Sequence, residues 1–178
     1  MRIHRISLFN LTYTIDVPVL FLFFAVLLDV ISTSLFVILN AGTEANVILK
    51  ALISISIWFI PVYLFLTNAF FVPFLSGILR KTFSYTFGLV SLLFGLNNFS
   101  LVVFDYAFLV DMVGFELLVI LFVLIGLAIF VYFVKKAKLS KKQIISACFR
   151  LIRFVFFIGL VQSLFVVITW PAFLDILK

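Results

Sequence analysis

Long apolar runs separated by short polar segments dominate the chain. A helix of about 20 apolar residues crosses a hydrocarbon core of about 30 Å, and several runs reach that length. The pattern predicts helices over residues 17–39, 47–72, 83–104, 107–134 and 154–170. Residues 1–178 are therefore expected to form one transmembrane domain, an all-α membrane helix bundle of five transmembrane helices.

Composition supports a membrane protein. Hydrophobic residues make up 66% of the chain and charged residues 11%, which leaves too little polar surface for a soluble domain. Residues 1–16 carry cations ahead of an apolar run that is too long for a cleaved signal peptide. They predict a cytoplasmic head, a short interfacial helix or an irregular arm, before an uncleaved signal anchor.

Cations are unevenly distributed among the polar segments. The head, the connection after the second helix and residues 135–153 hold 11 of the 13 Lys and Arg residues. The positive-inside rule predicts a protein of the cytoplasmic (inner) membrane with its N-terminus inside, on the cytoplasmic face, and its C-terminus outside, on the opposite face. Residues 135–153 contain seven cations and no acid, so they are expected to contact anionic lipid headgroups. No aromatic stacking platform accompanies them, so nucleic acid is not an expected partner.

Polar side chains share one face of the first helix. Asp29 lies near its middle, where a charge costs roughly 2.5 to 3.5 kcal/mol on insertion scales. Ser32 and Thr33 follow at i+3 and i+4 and can donate to its carboxyl or to backbone carbonyls. This face is either a close-packing seam around a neutral acid or a site that binds or relays a cation or proton. The predicted intramembrane polar site comprises Asp29, Ser32, Thr33, Asn40, Glu44, Asn46, Glu116 and Gln162.

The first helical hairpin resembles a known family. Its pattern of polar residues resembles that of a family of small uncharacterised prokaryotic membrane domains. The matching residues are Asp29, Thr33, Glu44 and Asn46. That hairpin reads Asp, Thr four residues later, then Gly-x-Glu-x-Asn-Pro, and Val47 stands here at the position of the Pro. The resemblance covers about a quarter of the chain. It implies a paired Asp and Glu-x-Asn hairpin and no particular activity.

Three further features concern helix packing. Pro61 removes a backbone hydrogen bond and predicts a kink in the second helix. Small residues recur along one face of the third helix and form a second notch on the fifth, and such residues let helices approach closely. These candidate helix-packing positions are Ser84, Gly88, Ser91 and Gly95 on the third helix and Gly159 and Ser163 on the fifth.

The residue inventory limits the function. A Ser–His or Cys–His nucleophile system needs an imidazole in the bundle, and the single histidine, His4, precedes the first helix. We therefore expect no enzyme, no catalytic residue, no cofactor and no metal. The first function that remains is a non-catalytic helix-packing subunit or assembly partner of a membrane complex, in contact with another membrane protein or a second copy. The alternative is a proton- or cation-responsive permease component that uses intramembrane Asp29.

Overall fold

The computed structural model describes residues 4–8, 11–39 and 47–169. The fold is all-α apart from a hairpin that precedes the first helix. Strands β1 (His4–Leu8) and β2 (Leu11–Ile15) pair antiparallel, with Arg5 opposite Thr14. The expectation of a short helix or irregular arm is wrong here, because alternating polar and β-branched residues favour a strand.

The first helix, α1 (Val17–Ile38), begins where the sequence predicts. Asp16 caps it by accepting a hydrogen bond from the backbone N–H of Val19 at 3.3 Å. Pro18 occupies its first turn, where the missing N–H leaves no bond unmade. An acidic N-cap followed by proline fixes this helix start.

The second predicted helix is interrupted. The chain forms α2 (Val47–Ile55), a break at residues 56–58, α3 (Phe59–Phe65), a π-helical turn (Leu66–Phe70) and a 3-10 turn (Val72–Phe74). The prediction of one helix kinked at Pro61 is wrong. The break precedes Pro61, which lies in the first turn of α3, where its missing N–H is tolerated.

The remaining helices also differ from their predicted bounds. The third helix, α4 (Gly77–Phe104), begins earlier than expected and includes Arg80, since Arg and Lys favour helices. The fourth divides at Gly114, whose φ is 81°, into α5 (Phe108–Val113) and α6 (Phe115–Lys136). The fifth, α7 (Lys141–Ile168), begins behind a capping box formed by Ser140 and Gln143. Most of residues 135–153 are therefore helical.

Helices α1 and α4 pack side by side and run in the same direction. A Cβ on Gly88 would lie 3.3 Å from the Cα of Leu22. Seven residues further along both helices, a Cβ on Gly95 would lie 3.2 Å from the Cα of Asp29. The chain must therefore return between α1 and α4. In agreement, the 3-10 turn that precedes α4 contacts β2 beside the start of α1.

Aromatic contacts give the directions of the last two long helices. Tyr85 stacks on Phe133 at a ring-centroid distance of 5.9 Å, and Phe94 contacts Phe122 at 5.5 Å, so α6 is antiparallel to α4. Helix α7 is antiparallel to the interrupted segment, since Tyr63 meets Phe165 and Phe71 meets Phe157.

Three helices of the described chain, α1, α4 and α7, are long and apolar enough to cross a membrane. Their outward faces carry large apolar side chains, which suit contact with lipid. The length and hydropathy of these helices agree with a membrane protein.

Candidate functional site

A cavity of about 650 Å³ lies between α1, α3 with the π turn, α4, α6 and α7. We name it the central cavity. Its α4 wall extends from Thr82 to Leu101, about 28 Å at 1.5 Å per residue. The cavity is therefore long and narrow. Its polar lining residues are Asp29, Thr33, Asn68, Thr82, Thr86, Ser91, Asn97, Asn98 and Gln162.

A directed chain of hydrogen bonds ends on Asp29, whose residue surface is only 5% exposed. The Thr33 hydroxyl donates to Oδ1 of Asp29 at 3.3 Å, and the side-chain amide of Asn98 donates to that hydroxyl at 2.9 Å. Because each donor points towards the carboxyl, the chain stabilises negative charge there. Ser32 instead donates to the backbone carbonyl of Asp29 at 3.0 Å.

Close packing of α4 on α1 assembles this chain. A Cβ on Gly95 would lie 2.7 Å from Cδ2 of Leu28 and 3.1 Å from the backbone nitrogen of Asp29. Only glycine fits at this distance without a shift of its neighbours. Asn98 follows Gly95 by three residues on the helix, and this places its amide beside Thr33.

Three hydroxyls that line the central cavity have no hydrogen-bond partner among the described residues. They belong to Thr82, Thr86 and Ser91 on α4. Thr82 is 3% exposed and Ser91 is 1% exposed. A buried hydroxyl without a partner costs about 1–3 kcal/mol. Their oxygen atoms have almost no accessible surface, so a ligand in the cavity would reach them only if neighbouring side chains moved. The Ser84 hydroxyl also lacks a described partner but does not line the cavity.

Two asparagines on other elements than α1 also line the cavity, Asn97 on α4 and Asn68 in the π turn. Asn97 accepts a hydrogen bond from the backbone N–H of Leu109 at 2.9 Å and so holds the start of α5. Asn68 lies in the π turn, beside Thr67, whose hydroxyl donates to the carbonyl of Tyr63 at 2.7 Å. Single π turns inside helices are frequent at functional sites.

Three of the eight predicted polar-site residues line the central cavity, and for four others the structure describes no side-chain position. Asp29, Thr33 and Gln162 line the central cavity. Glu116 belongs to the first turn of α6, and the position of its side chain lies outside what the structure describes. The predicted residues Asn40, Glu44 and Asn46 also lie outside the described residues.

Sequence reasoning did not assign Thr82, Thr86, Asn97 or Asn98 to the site. One signal was present, since Thr82 and Thr86 lie at i and i+4 and share a helix face. No comparable local signal connects Asn98 with Thr33, because 65 residues separate them.

The small-residue positions divide into two groups. On α4, Gly88 and Gly95 contact α1 of the same chain, and Ser84 and Ser91 are buried. On α7, a Cβ on Gly159 would meet no atom within 4 Å. Ser163 on α7 is exposed and donates to the carbonyl of Gly159 at 2.9 Å. The α7 notch is therefore open within the part of the chain that the structure describes.

An ion pair joins the starts of α1 and α4. Arg80 donates from Nε to Oδ2 of Asp16 at 3.0 Å, and its Nη2 lies 2.9 Å from the same oxygen as an ion pair. Its Nη1 donates to the carbonyl of Leu75 at 3.0 Å. Arg80, which the sequence analysis used only as a cation for predicting topology, thus also holds two helices together. Its pairing with Asp16 was not predicted from the sequence.

The fold and cavity define a class: an all-α protein with helices of membrane-spanning length and a cavity between them whose mostly apolar wall includes several polar side chains. Within the described part of the chain, no group of three or more His, Cys, Asp or Glu residues is arranged to hold a metal ion. Comparison with protein-family models found no matching family, and searches of curated proteins and of solved structures found no match. The resemblance of the first hairpin to a family of small membrane domains stays a prediction.

Proposed function

We propose that this protein is a proton- or cation-responsive permease component and that the central cavity is its binding site. The observation that carries the proposal is the hydrogen-bond chain from Asn98 through Thr33 to Asp29, which lies on the wall of the cavity. In this function the carboxyl of Asp29 holds either a proton or a cation. The protein is not an enzyme and needs no cofactor.

The sign of the charge supports a positive ligand. Asp29 is the only formally charged residue among the described residues that line the cavity. Intramembrane carboxyls that face a cavity commonly mark the path of protons or ions.

The interrupted segment supports a permease component as well. Irregular backbone at membrane depth is tolerated where it is buried in protein or lines a cavity. The π turn brings Asn68 to the cavity wall, and transporters form ion sites from broken helices of this kind.

The proposal includes five crossings of the cytoplasmic (inner) membrane, with the N-terminus inside and the C-terminus outside. It is supported by the parallel directions of α1 and α4, which require the chain to return between them, and by the antiparallel direction of α6. The exposed cations at the start of α7 would then contact anionic headgroups on the cytoplasmic side. These cations are Lys141, Lys142, Arg150 and Arg153.

Ion flux in liposomes tests the function. Purified protein is reconstituted with a trapped pH-sensitive dye, a pH gradient is imposed, and Na⁺ or K⁺ is added. We expect the wild-type protein to dissipate the gradient when the cation is added, and Asp29→Asn to abolish this response. Asp105→Asn is the matched control, because Asp105 is exposed at the end of α4. Equal responses from wild type and Asp29→Asn would reject the proposal.

The second candidate function is the non-catalytic subunit of a membrane complex. The open notch at Gly159 and Ser163 favours it, because small residues on an exposed helix face admit a close helix from another membrane protein or a second copy. The α4 stripe gives no such support, since Gly88 and Gly95 already contact α1. Purification from native membranes tests this candidate. Gly159→Leu should lose a companion chain that the wild type and Val131→Leu, a change at an exposed position of α6, retain. An unchanged companion would reject this notch as the docking site.

A further inference from the structure

A second groove lies where α4 meets α1 and α6, and it shares no lining residue with the central cavity. We name it the lysine groove. Its volume is about 420 Å³. All of its lining residues are half-buried or exposed, so the groove opens on the outside of the bundle. It is lined by Phe21 of α1, by Tyr85 and Leu89 of α4, and by four residues of α6 between Ile129 and Lys136.

Two ammonium groups lie together at one end of this groove. Nζ of Lys136 lies 5.6 Å from the centroid of the Tyr132 ring and donates to the Tyr132 hydroxyl at 3.4 Å. Nζ of Lys81 lies 5.9 Å from the centroid of the Phe133 ring. These two rings are neighbours, with centroids 5.3 Å apart. Among the described residues neither lysine is paired with a carboxylate, so this end of the groove is positively charged.

The remainder of the groove is aromatic and apolar. The ring of Phe133 stacks on that of Tyr85 at an interplanar angle of 16°. Beyond these rings the wall continues to Leu89 on α4 and to Ile129 on α6. Leu89 follows Lys81 by eight residues, about 12 Å of helix. The groove therefore has a cationic end and an apolar part of about that length.

The position of the groove along the helices matches the polarity of a membrane. Lys81 lies near the start of α4, which is long and apolar enough to cross a membrane, and Lys136 is the last residue of α6. The ammonium groups can thus lie at the headgroups while the apolar wall extends towards the bilayer centre. In the orientation proposed above, this end faces the cytoplasmic leaflet, which carries anionic lipids.

We infer that the lysine groove binds one anionic phospholipid. The lipid phosphate contacts Lys81 and Lys136, since lysine binds phosphate as a point charge with three donors. One acyl chain lies along Leu89 and Ile129. A hydrocarbon core of about 30 Å contains two layers of chains, so one chain extends about 15 Å, and the wall covers most of that length. The volume also falls within the range of about 300 to 1,000 Å³ that is typical of ligand pockets.

Three ligands separate the contributions of the phosphate, its charge and the acyl chain. The full-length protein is freed of lipid in detergent, and binding of dioleoylphosphatidylglycerol, dioleoylphosphatidylcholine and glycerol phosphate is measured by native mass spectrometry. We expect one molecule of phosphatidylglycerol to bind more tightly than phosphatidylcholine, and glycerol phosphate not to bind. Equal binding of the two lipids, or binding of glycerol phosphate as tight as that of phosphatidylglycerol, would overturn the inference. The measurement needs no ion gradient, so its result is independent of the permease proposal.

Substitution of the two lysines tests the cationic end. Lys81→Gln and Lys136→Gln should each weaken phosphatidylglycerol binding at least about tenfold, the loss expected when a charge-assisted hydrogen bond is removed. The double variant Lys141→Gln/Lys142→Gln is the control, because it removes two exposed cations at the start of α7, outside the groove. Equal losses from the groove lysines and the control would indicate a diffuse surface attraction and would overturn the inference.

A further variant tests the apolar part without changing the charge. Ile129→Trp places a larger side chain in the groove wall and should weaken phosphatidylglycerol binding at least about tenfold. Leu124→Trp makes a similar change at an exposed position of α6 that does not line the groove, and it should leave binding unchanged. Phosphatidylglycerol binding that Ile129→Trp does not weaken would mean that the acyl chain lies elsewhere, and the inference would then be wrong.

Discussion

Gly95 of α4 lies against the backbone of Asp29 on α1. A Cβ at Gly95 would be 3.1 Å from the backbone nitrogen of Asp29 and 3.2 Å from its Cα. The same approach sets the Asn98 amide 2.9 Å from the Thr33 hydroxyl. The packing of α4 on α1 and the geometry of the polar site therefore depend on one another. A substitution at Gly95 should alter both.

Gly95→Val should destabilise the protein. The valine methyl groups would overlap the α1 backbone, and overpacking of this kind costs about 1–3 kcal/mol. We expect a lower midpoint of thermal unfolding in detergent, with loss of the cation response that requires Asp29. Gly159→Val makes the same substitution where a Cβ meets no atom within 4 Å, and it should change stability by less than about 0.5 kcal/mol. Equal effects of the two substitutions would show that α1 and α4 do not pack as described.

The sequence reveals the parts of this site that lie within one helix. Thr33 follows Asp29 at i+4, and their hydrogen bond is predictable from that spacing alone. The spacing of Gly88 and Gly95 likewise predicts a close helix contact. It does not identify the partner helix, since any apolar helix satisfies the same requirement. The contact between Asn98 and Thr33 follows only from the parallel packing of α1 and α4 in three dimensions.

The interrupted segment shows another limit of local patterns. Pro61 correctly indicates that a continuous helix is disfavoured, but proline is compatible both with a kink and with a first helical turn. Sequence alone does not choose between them. The N-terminal hairpin was missed for a related reason, because its strands are only five residues each and mixed polar and apolar residues also suit an interfacial helix.

Arg80→Ala should loosen the end of the bundle where α1 and α4 begin. The substitution removes the ion pair with Asp16, including one hydrogen bond, and a hydrogen bond to the carbonyl of Leu75. Because the pair is mostly buried, we expect a loss of about 1.5–3 kcal/mol in thermal unfolding experiments. Asp16→Asn should lose a similar amount while retaining the helix cap, since asparagine also caps helices.

Arg153→Ala is the control for the ion pair, because Arg153 is exposed. It should change stability by less than about 0.5 kcal/mol. Combining Arg80→Ala with Asp16→Asn should cost much less than the sum of the two single changes. Additive losses would contradict a direct interaction between the two side chains.

Thr33→Val should destabilise the protein, whereas Ser91→Ala should not. The Ser91 hydroxyl has no described partner, so its removal should leave the ligand-free protein as stable as the wild type, or more stable by about 1 kcal/mol. Thr33→Val keeps the side-chain shape but removes a donor to Asp29 and an acceptor for Asn98. It should cost about 1–3 kcal/mol. The measurement is thermal unfolding without added ligand, and a larger loss from Ser91→Ala than from Thr33→Val would contradict the described hydrogen-bond chain.

The topology can be read from reporters fused at two positions. Helix α7 has 28 residues and would be about 42 Å long, which exceeds a hydrocarbon core of about 30 Å. Its first turns, with Lys141 and Lys142, can thus stay at the headgroups. The part from Arg150 to Ile168 is about 28 Å long and can cross if Arg150 and Arg153 extend their charged ends to the headgroups. We expect a cytoplasm-active reporter to give a signal when fused after Lys138 and none when fused after Lys178, with a periplasm-active reporter giving the reverse. A cytoplasmic signal after both positions would mean that α7 does not cross, and the count of five crossings would then be wrong.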